Sequence, residues 1–219
     1  MSTHPAAAGS PLEADDFSAA RALERQLFKQ GNRYIMTPLL RRGLGRWMST
    51  PLTGYFMLLQ TTGRKSRLPR LTPLNYAVDA GCIVCLAGFG DRADWLANVR
   101  HDPRVQVRLT GREFNGHAVE VPAPAEAARL AVRVARASGF ALIFEHPRCL
   151  WMNDEQLAAH LMGRPVVRIQ PDSGPVLAGP NDPGGYGWLI PTAAQIIALT
   201  ALFLLSRARH TFSSLRSSK

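Results

Sequence analysis

Residues 55–78, YFMLLQTTGRKSRLPRLTPLNYAV, constrain the fold more than any other stretch, because two apolar runs are joined there by a short basic elbow. Tyr55 to Thr62 is apolar with β-branched residues at its end, and Leu71 to Val78 is similar, with Pro73 as its one interruption. The pattern predicts two paired strands. In the elbow, Gly63 offers permissive backbone geometry, and Arg64, Lys65, Arg67 and Arg70 place four positive charges within seven residues, beside the hydroxyls of Thr61, Thr62 and Ser66. Guanidinium forks and an ammonium among hydroxyls and free turn amides are the donors a phosphate or polycarboxylate needs. The same composition also suits a solvated hairpin tip.

Further strands follow. Gly81 to Gly88 is wholly apolar, which predicts a strand covered on both faces, reached through a tight turn at Asp79-Ala80-Gly81. Val105 to Leu109 and Glu113 to Val121 alternate apolar and polar residues around Thr110-Gly111-Arg112, which reads as a hairpin. Pro165 to Gln170 is a last strand able to close a barrel. Between them, a helix whose start is marked by Asp91, with Asp94 three residues on, is limited by Pro103 and carries Trp95 and Asn98 on one face. Ala125 to Ala137 is strongly helical, and Asn153 or Asp154 caps a shorter helix through Met162.

The chain's 219 residues suffice for one domain with appendages. A formal charge of +10 favours acidic partners, whether anionic lipid or a polyanionic cofactor. No aromatic-interleaved basic stripe marks a nucleic-acid footprint. Cys82, Cys85 and Cys149 form no even disulfide framework, and Cys82-x-x-Cys85 within CIVCLA sends its thiols to opposite faces of a strand. No His, Cys or carboxylate spacing reads as a metal site. Without an N-terminal charged and apolar leader, a cytoplasmic catalytic part is expected.

The flanks read differently. Residues 1–14 are expected to be a disordered tail, and 15–50 a helical segment that begins near Asp16 and turns basic and amphipathic from Arg33 to Trp47. Its apolar side either rests on an anionic membrane or covers one end of the barrel. Gly43 and Gly45 argue against one long helix. Residues 51–171 hold the barrel, 172–187 a Pro/Gly linker, 188–206 a hydrophobic helix and 207–219 a basic tail. The eighteen uncharged residues from Trp188 to Leu205 reach the short end of a membrane span. Arg207, Arg209, Arg216 and Lys219 follow it, so the positive-inside rule conflicts with a cytoplasmic barrel and a spanning tail. A helix attached to the inner face of the membrane, or packed on protein, removes the conflict.

The runs TTGRKSRLPRLTPL and DRADWLANVRHDPRVQVRLTGREF, in this order and spacing, resemble the deazaflavin-dependent nitroreductase family over roughly two thirds of the chain. That resemblance implies an α+β fold: a split β-barrel of about six mostly antiparallel strands with peripheral helices, plus here a C-terminal hydrophobic helix. It implies an oxidoreductase passing a hydride from reduced coenzyme F420 to a small-molecule electron acceptor, a quinone, nitro-aromatic or activated alkene. By the same resemblance, Thr62, Gly63, Arg64, Lys65, Ser66 and Arg70 would hold the phosphate and acidic tail, and Pro73, Ala87, Trp95 and Asn98 would border the ring. Tyr76 is the nearby hydroxyl considered as proton donor. Two other readings share the pattern: a barrel binding FMN, and a non-enzymatic membrane-associated module. Asn75, where relatives often carry an aromatic, leaves the acceptor open. A homodimer is expected because split barrels often pair.

Overall fold

The computed structural model describes residues 30–144 and 146–216. The elbow hairpin forms as the pattern predicts: β1 (Phe56–Thr62) runs antiparallel to β2 (Pro69–Asp79), from Phe56 opposite Asn75 to Thr62 opposite Pro69 at the tip. Ala80 and Gly81 both adopt positive φ, 47° and 77°, giving the mirror-image two-residue turn that suits strand twist, and β3 (Cys82–Leu86) returns along β2. β4 (Arg104–Leu109) and β5 (Arg112–Glu120) make the second hairpin, and β6 (Val166–Pro171) inserts between β3 and β5. The order β1-β2-β3-β6-β5-β4 closes into a barrel, with every pairing antiparallel. Closure is incomplete at one seam. β1 pairs with β4 only from Leu58 to Gln60, although both strands run on to Thr62 and Arg104.

The period of two along each strand sorts the side chains. Tyr55, Met57, Leu59, Tyr76, Ile83, Cys85, Val105, Val107 and Ile169 fill the interior. Ala77, Val84 and Val166 face outward into a second apolar layer under two helices, α4 (Pro124–Ala137) and α5 (Asp154–Leu161), with Leu130, Val134, Leu157 and Leu161 buried between. β3 is therefore covered on both faces, as its unbroken apolar run requires. Cys85 lies inside the barrel and is fully buried, which pushes its thiol well above the usual range and leaves it inert.

Preceding β1, α1 (Thr37–Arg41) lies over β1 and β2, and α2 (Gly45–Met48) follows a break at Gly43, whose φ is 79°. Of the two expectations for the basic segment, α1 fits the cover over the barrel. The tail over 1–14 and the helix expected from Asp16 lie outside the described residues.

Helix α3 (Asp94–His101) starts at Asp94 with Ala93 at its cap position, not at Asp91. Asp91 instead pairs with Arg100 at 2.7 Å, and Arg100 also holds Glu120 of β5 at 2.6 Å, binding α3 to the sheet. At α5 the expected cap forms as a reciprocal pair: Asn153 accepts from the Gln156 amide at 2.8 Å while the Gln156 side chain accepts from the Asn153 amide at 3.1 Å.

Residues 172–187 are more than a linker. The Val176 amide donates to the Gly81 carbonyl at 2.8 Å, and Val176 and Asp182 are buried against the barrel. The last helix, α6 (Leu189–Arg216), meets the body beside α2, where the Gln195 side chain donates to the Trp47 carbonyl at 3.2 Å. Ile196, Ile197, Leu199, Leu202, Phe203, Leu204 and Leu205 are all exposed. Among the described residues no helix is long and apolar enough to cross a membrane.

Candidate functional site

The elbow is a closed loop rather than a frayed tip. The Gly63 amide donates to the Leu68 carbonyl at 2.9 Å, and the Arg67 amide to the Gly63 carbonyl at 2.8 Å. Glycine at 63 serves close packing and not a positive φ, since a Cβ there would lie 2.6 Å from Ser66 Oγ and 3.1 Å from the Leu68 carbonyl oxygen. The left-handed residue is Arg67, at φ 57°, a strained state for a non-glycine residue.

Arg64 ties the elbow to α3. Its backbone amide donates to Asn98 Oδ1 at 3.1 Å and its guanidinium to the same oxygen at 3.3 Å, while Asn98 Nδ2 donates to Thr61 Oγ1 at 3.2 Å. The pairing of Arg64 with Asp94, at 3.5 Å and partly exposed, adds little. Ser66 Oγ accepts from Arg70 at 3.1 Å. Lys65, Ser66, Arg67 and Arg70 are all exposed, so the crest carries three cations with water on one side. Their summed positive potential favours the anionic form of whatever lies against them.

The structure thus brings Thr62, Gly63, Arg64, Lys65, Ser66, Arg70 and Asn98 together. Pro73, Ala87 and Trp95 are almost wholly buried, and Ala87 and Trp95 belong to the barrel's core, so they support a surface from beneath. Tyr76 is placed elsewhere. Its hydroxyl, inside the barrel, donates to Asp182 Oδ1 at 2.6 Å, and burial together with the Asp182 charge pushes its pKa far up. The hydroxyl is thus held by Asp182 and shielded from solvent.

Asp182 is itself clamped: it pairs with Arg112 and accepts from the Gly179 amide at 2.5 Å, while Arg112 also donates to the Leu177 carbonyl at 2.8 Å. Sequence reading missed this latch because an aspartate within a Gly/Pro-rich segment carries no periodic signal.

Residues 36–140, just under half of the chain, match the model of the F420H(2)-dependent quinone reductase family. Over that span the chain is similar to this family. It is an oxidoreductase dependent on reduced F420. Among solved structures, it is similar to a conserved hypothetical protein from Mycobacterium tuberculosis (24% identity, 55% of this chain and 74% of that one, TM-score 0.41). It is similar also to an F420-H2 dependent reductase (22% identity, 52% and 93%, TM-score 0.37) and to a putative pyridoxamine 5′-phosphate oxidase from Listeria innocua (16% identity, 64% and 99%, TM-score 0.39). The elbow's chemistry fits the cofactor of the family. Exposed guanidinium and ammonium groups, a hydroxyl and a glycine that lets the loop close tightly are the chemistry a phosphate would need.

Proposed function

We propose that this protein passes a hydride from F420H2 to a quinone-class acceptor, with the elbow as its anion grip. The observation that carries this reading is the hydrogen bonding of Arg64 to Asn98, which fixes a crest of exposed cations against the helix bearing Trp95. When bound, the deazaflavin supplies the hydride, so the chain needs no nucleophile or metal of its own. Lys65, Arg67 and Arg70 bind the acidic groups, Ser66 and the backbone of Thr62 and Gly63 orient the phosphate, and Asn98 holds Arg64 in place. Pro73, Ala87 and Trp95 form the apolar base that keeps water from beneath the ring. With Tyr76 committed to Asp182, the proton that completes acceptor reduction comes from solvent.

The acceptor is assigned to quinones because of what lies beside the barrel. The exposed apolar surface of α6, next to exposed Trp47 and the exposed Arg41 and Arg42, suits attachment to the face of an anionic bilayer, where quinones dissolve. A homodimer is compatible with the same surface.

The test is a fluorescence titration of the purified full chain with F420 and, separately, FMN, followed by turnover of F420H2 with a menaquinone analogue. Tight F420 binding and quinone-dependent oxidation are expected. Micromolar FMN binding with no response to F420 sinks the proposal.

A further inference from the structure

Residues 172–187 have the composition of a flexible linker, yet their second half is knotted by its own backbone. The Asp182 amide donates to the Gly179 carbonyl at 3.1 Å, the Gly185 amide to that of Asp182 at 2.9 Å and the Gly187 amide to that of Pro180 at 2.6 Å. Asp182 fastens the knot to the barrel through Tyr76 and Arg112, and Arg112 also grips the Leu177 carbonyl. Leu189, the first residue of α6, donates to the Tyr186 carbonyl at 3.1 Å, so no slack separates the knot from the helix. Six residues on, Gln195 bonds to the Trp47 carbonyl. Held at two points about 9 Å apart, α6 has a set direction.

Gln195 and Trp47 are also where the two flanks of the barrel meet. Residues 25–54 hold six lysines and arginines and residues 183–219 four, with no aspartate or glutamate in either, so these two segments carry the whole formal charge of +10. At their junction Trp47, Arg41 and Arg42 are exposed, and α6 adds exposed Ile196, Ile197 and Leu202. An acid-free cationic surface bearing apolar side chains complements the face of an anionic bilayer.

The set direction of α6 decides which side of the barrel faces the lipid. The strap grips the barrel at Gly81 and Arg112, the end away from the elbow. On the sides, α1 lies over β1 and β2, and α2 follows it to meet α6. Pro73 belongs to that β1–β2 side: it alternates with Leu74 and Tyr76 of the interior, and lies six residues, roughly 20 Å, along β2 from Asp79 at the strap end. We propose that the Asp182 latch makes α6 a rigid mount, which sets the barrel on an anionic bilayer with its β1–β2 side towards the lipid, so that a quinone dissolved there reaches the deazaflavin. The inference rests on the reading of the chain as an F420H2-dependent quinone reductase. Asp182 and Arg112 are positioning residues, acting on the reaction only through α6.

The experiment compares F420H2 oxidation by the full chain with two acceptors: menaquinone held in vesicles rich in phosphatidylglycerol, and a water-soluble short-chain analogue. A six-residue Gly/Ser insertion after Gly187 leaves latch and helix intact and frees only their relative direction. It is expected to retain co-sedimentation with the vesicles and to turn over the soluble analogue within about twofold of wild type, while turnover of the vesicle-held quinone falls about tenfold, the scale of a misplaced reaction partner. Asp182→Asn, which weakens the clamp on Arg112 without emptying the site, should shift the ratio of the two rates in the same direction; a merely structural role would lower both rates together. An unchanged ratio in the insertion variant, or a wild type that does not sediment with the vesicles, overturns the mount while the reductase reading stands. Failure of wild type to oxidise F420H2 with either acceptor overturns both.

Discussion

Asn98 is buried in α3, yet its side chain is fully used by the elbow: Oδ1 accepts from the amide and guanidinium of Arg64, and Nδ2 donates to Thr61. One carboxamide thereby fixes the hairpin tip against a helix 34 residues further along the chain. Replacing Asn98 by Leu strands a backbone donor and removes this tether. A loss of about 1–3 kcal/mol in stability is expected, together with weaker F420 binding. Asn98→Asp keeps the acceptor and should retain most of the binding. Chemical denaturation and F420 titration of both variants check this; equal cofactor affinity for Leu and Asp at this position would refute the tether.

Tyr76 and Asp182 are separated by 106 positions and joined by a 2.6 Å hydrogen bond inside the barrel. Tyr76→Phe leaves Asp182 with Arg112 and the Gly179 amide, so a cost of about 1 kcal/mol is expected, with F420H2 turnover retained. Asp182→Ala releases the strap over 172–187 and leaves Arg112 half-buried and unpaired, which should cost more, about 2–4 kcal/mol. Thermal unfolding measures the first pair of effects and steady-state kinetics the turnover. A collapse of kcat in Tyr76→Phe with unchanged stability would restore the tyrosine as proton donor.

Asp79, nearly buried at the end of β2, accepts from Arg129 at 3.1 Å and from Arg133 at 2.9 Å, both on α4. The hydrogen bond from Arg129, with the charges of both arginines, holds its carboxyl below the usual range despite burial. The folded state therefore binds this proton less readily than the unfolded chain, where the value is about 3.9. The stabilisation is complete above that value and lost as pH falls through the lower folded one. Wild-type Tm should drop across the acid limb more steeply than that of Asp79→Asn. Parallel acid limbs for the two proteins would show that the pair contributes nothing.

Two turns meet through glycines that nothing larger can replace. A Cβ on Gly139, at φ 54°, would lie 2.3 Å from the Leu52 carbonyl oxygen and 2.5 Å from the Gly54 nitrogen. Gly54 at φ 95° faces the same contact, 2.4 Å from the Ser138 carbonyl oxygen. Gly139→Ala is expected to cost about 2–3 kcal/mol, or roughly 5–10 °C in Tm. Gly163, also at positive φ but with open space around it, should lose only about 1 kcal/mol on the same substitution. Differential scanning calorimetry separates the two, and equal losses would remove the packing component.

The strands were legible because their pattern is local. Alternation fixed β4 and β5, an unbroken apolar run marked β3, and Ala80-Gly81 announced its turn. The elbow's composition was legible too, but its geometry was not: Gly63 is needed for close approach, and the left-handed position falls on Arg67, which no propensity favours. Asp91 has the composition of a helix cap, yet it is claimed by Arg100, which also holds Glu120 of β5. The latch at Asp182 joins residues far apart in sequence, and only the folded barrel brings them together.

Helix α6 exposes Ile196, Ile197, Leu199 and the run Leu202 to Leu205 over its first half, a cluster of apolar side chains that water alone does not favour. Its contact with the body near Trp47 is slight, so removing it should leave the barrel intact. A chain ending at residue 187 keeps the Asp182 latch and is expected to retain F420 affinity within about twofold, since each elbow residue is untouched. The same truncation should abolish co-sedimentation with liposomes rich in anionic lipid, where the full chain binds. Addition of salt should weaken binding of the full chain only in part, because the apolar face, unlike the arginines, is not screened. Equal sedimentation of both proteins would move the membrane contact to the basic segment before β1, and loss of F420 binding on truncation would mean that α6 supports the barrel itself.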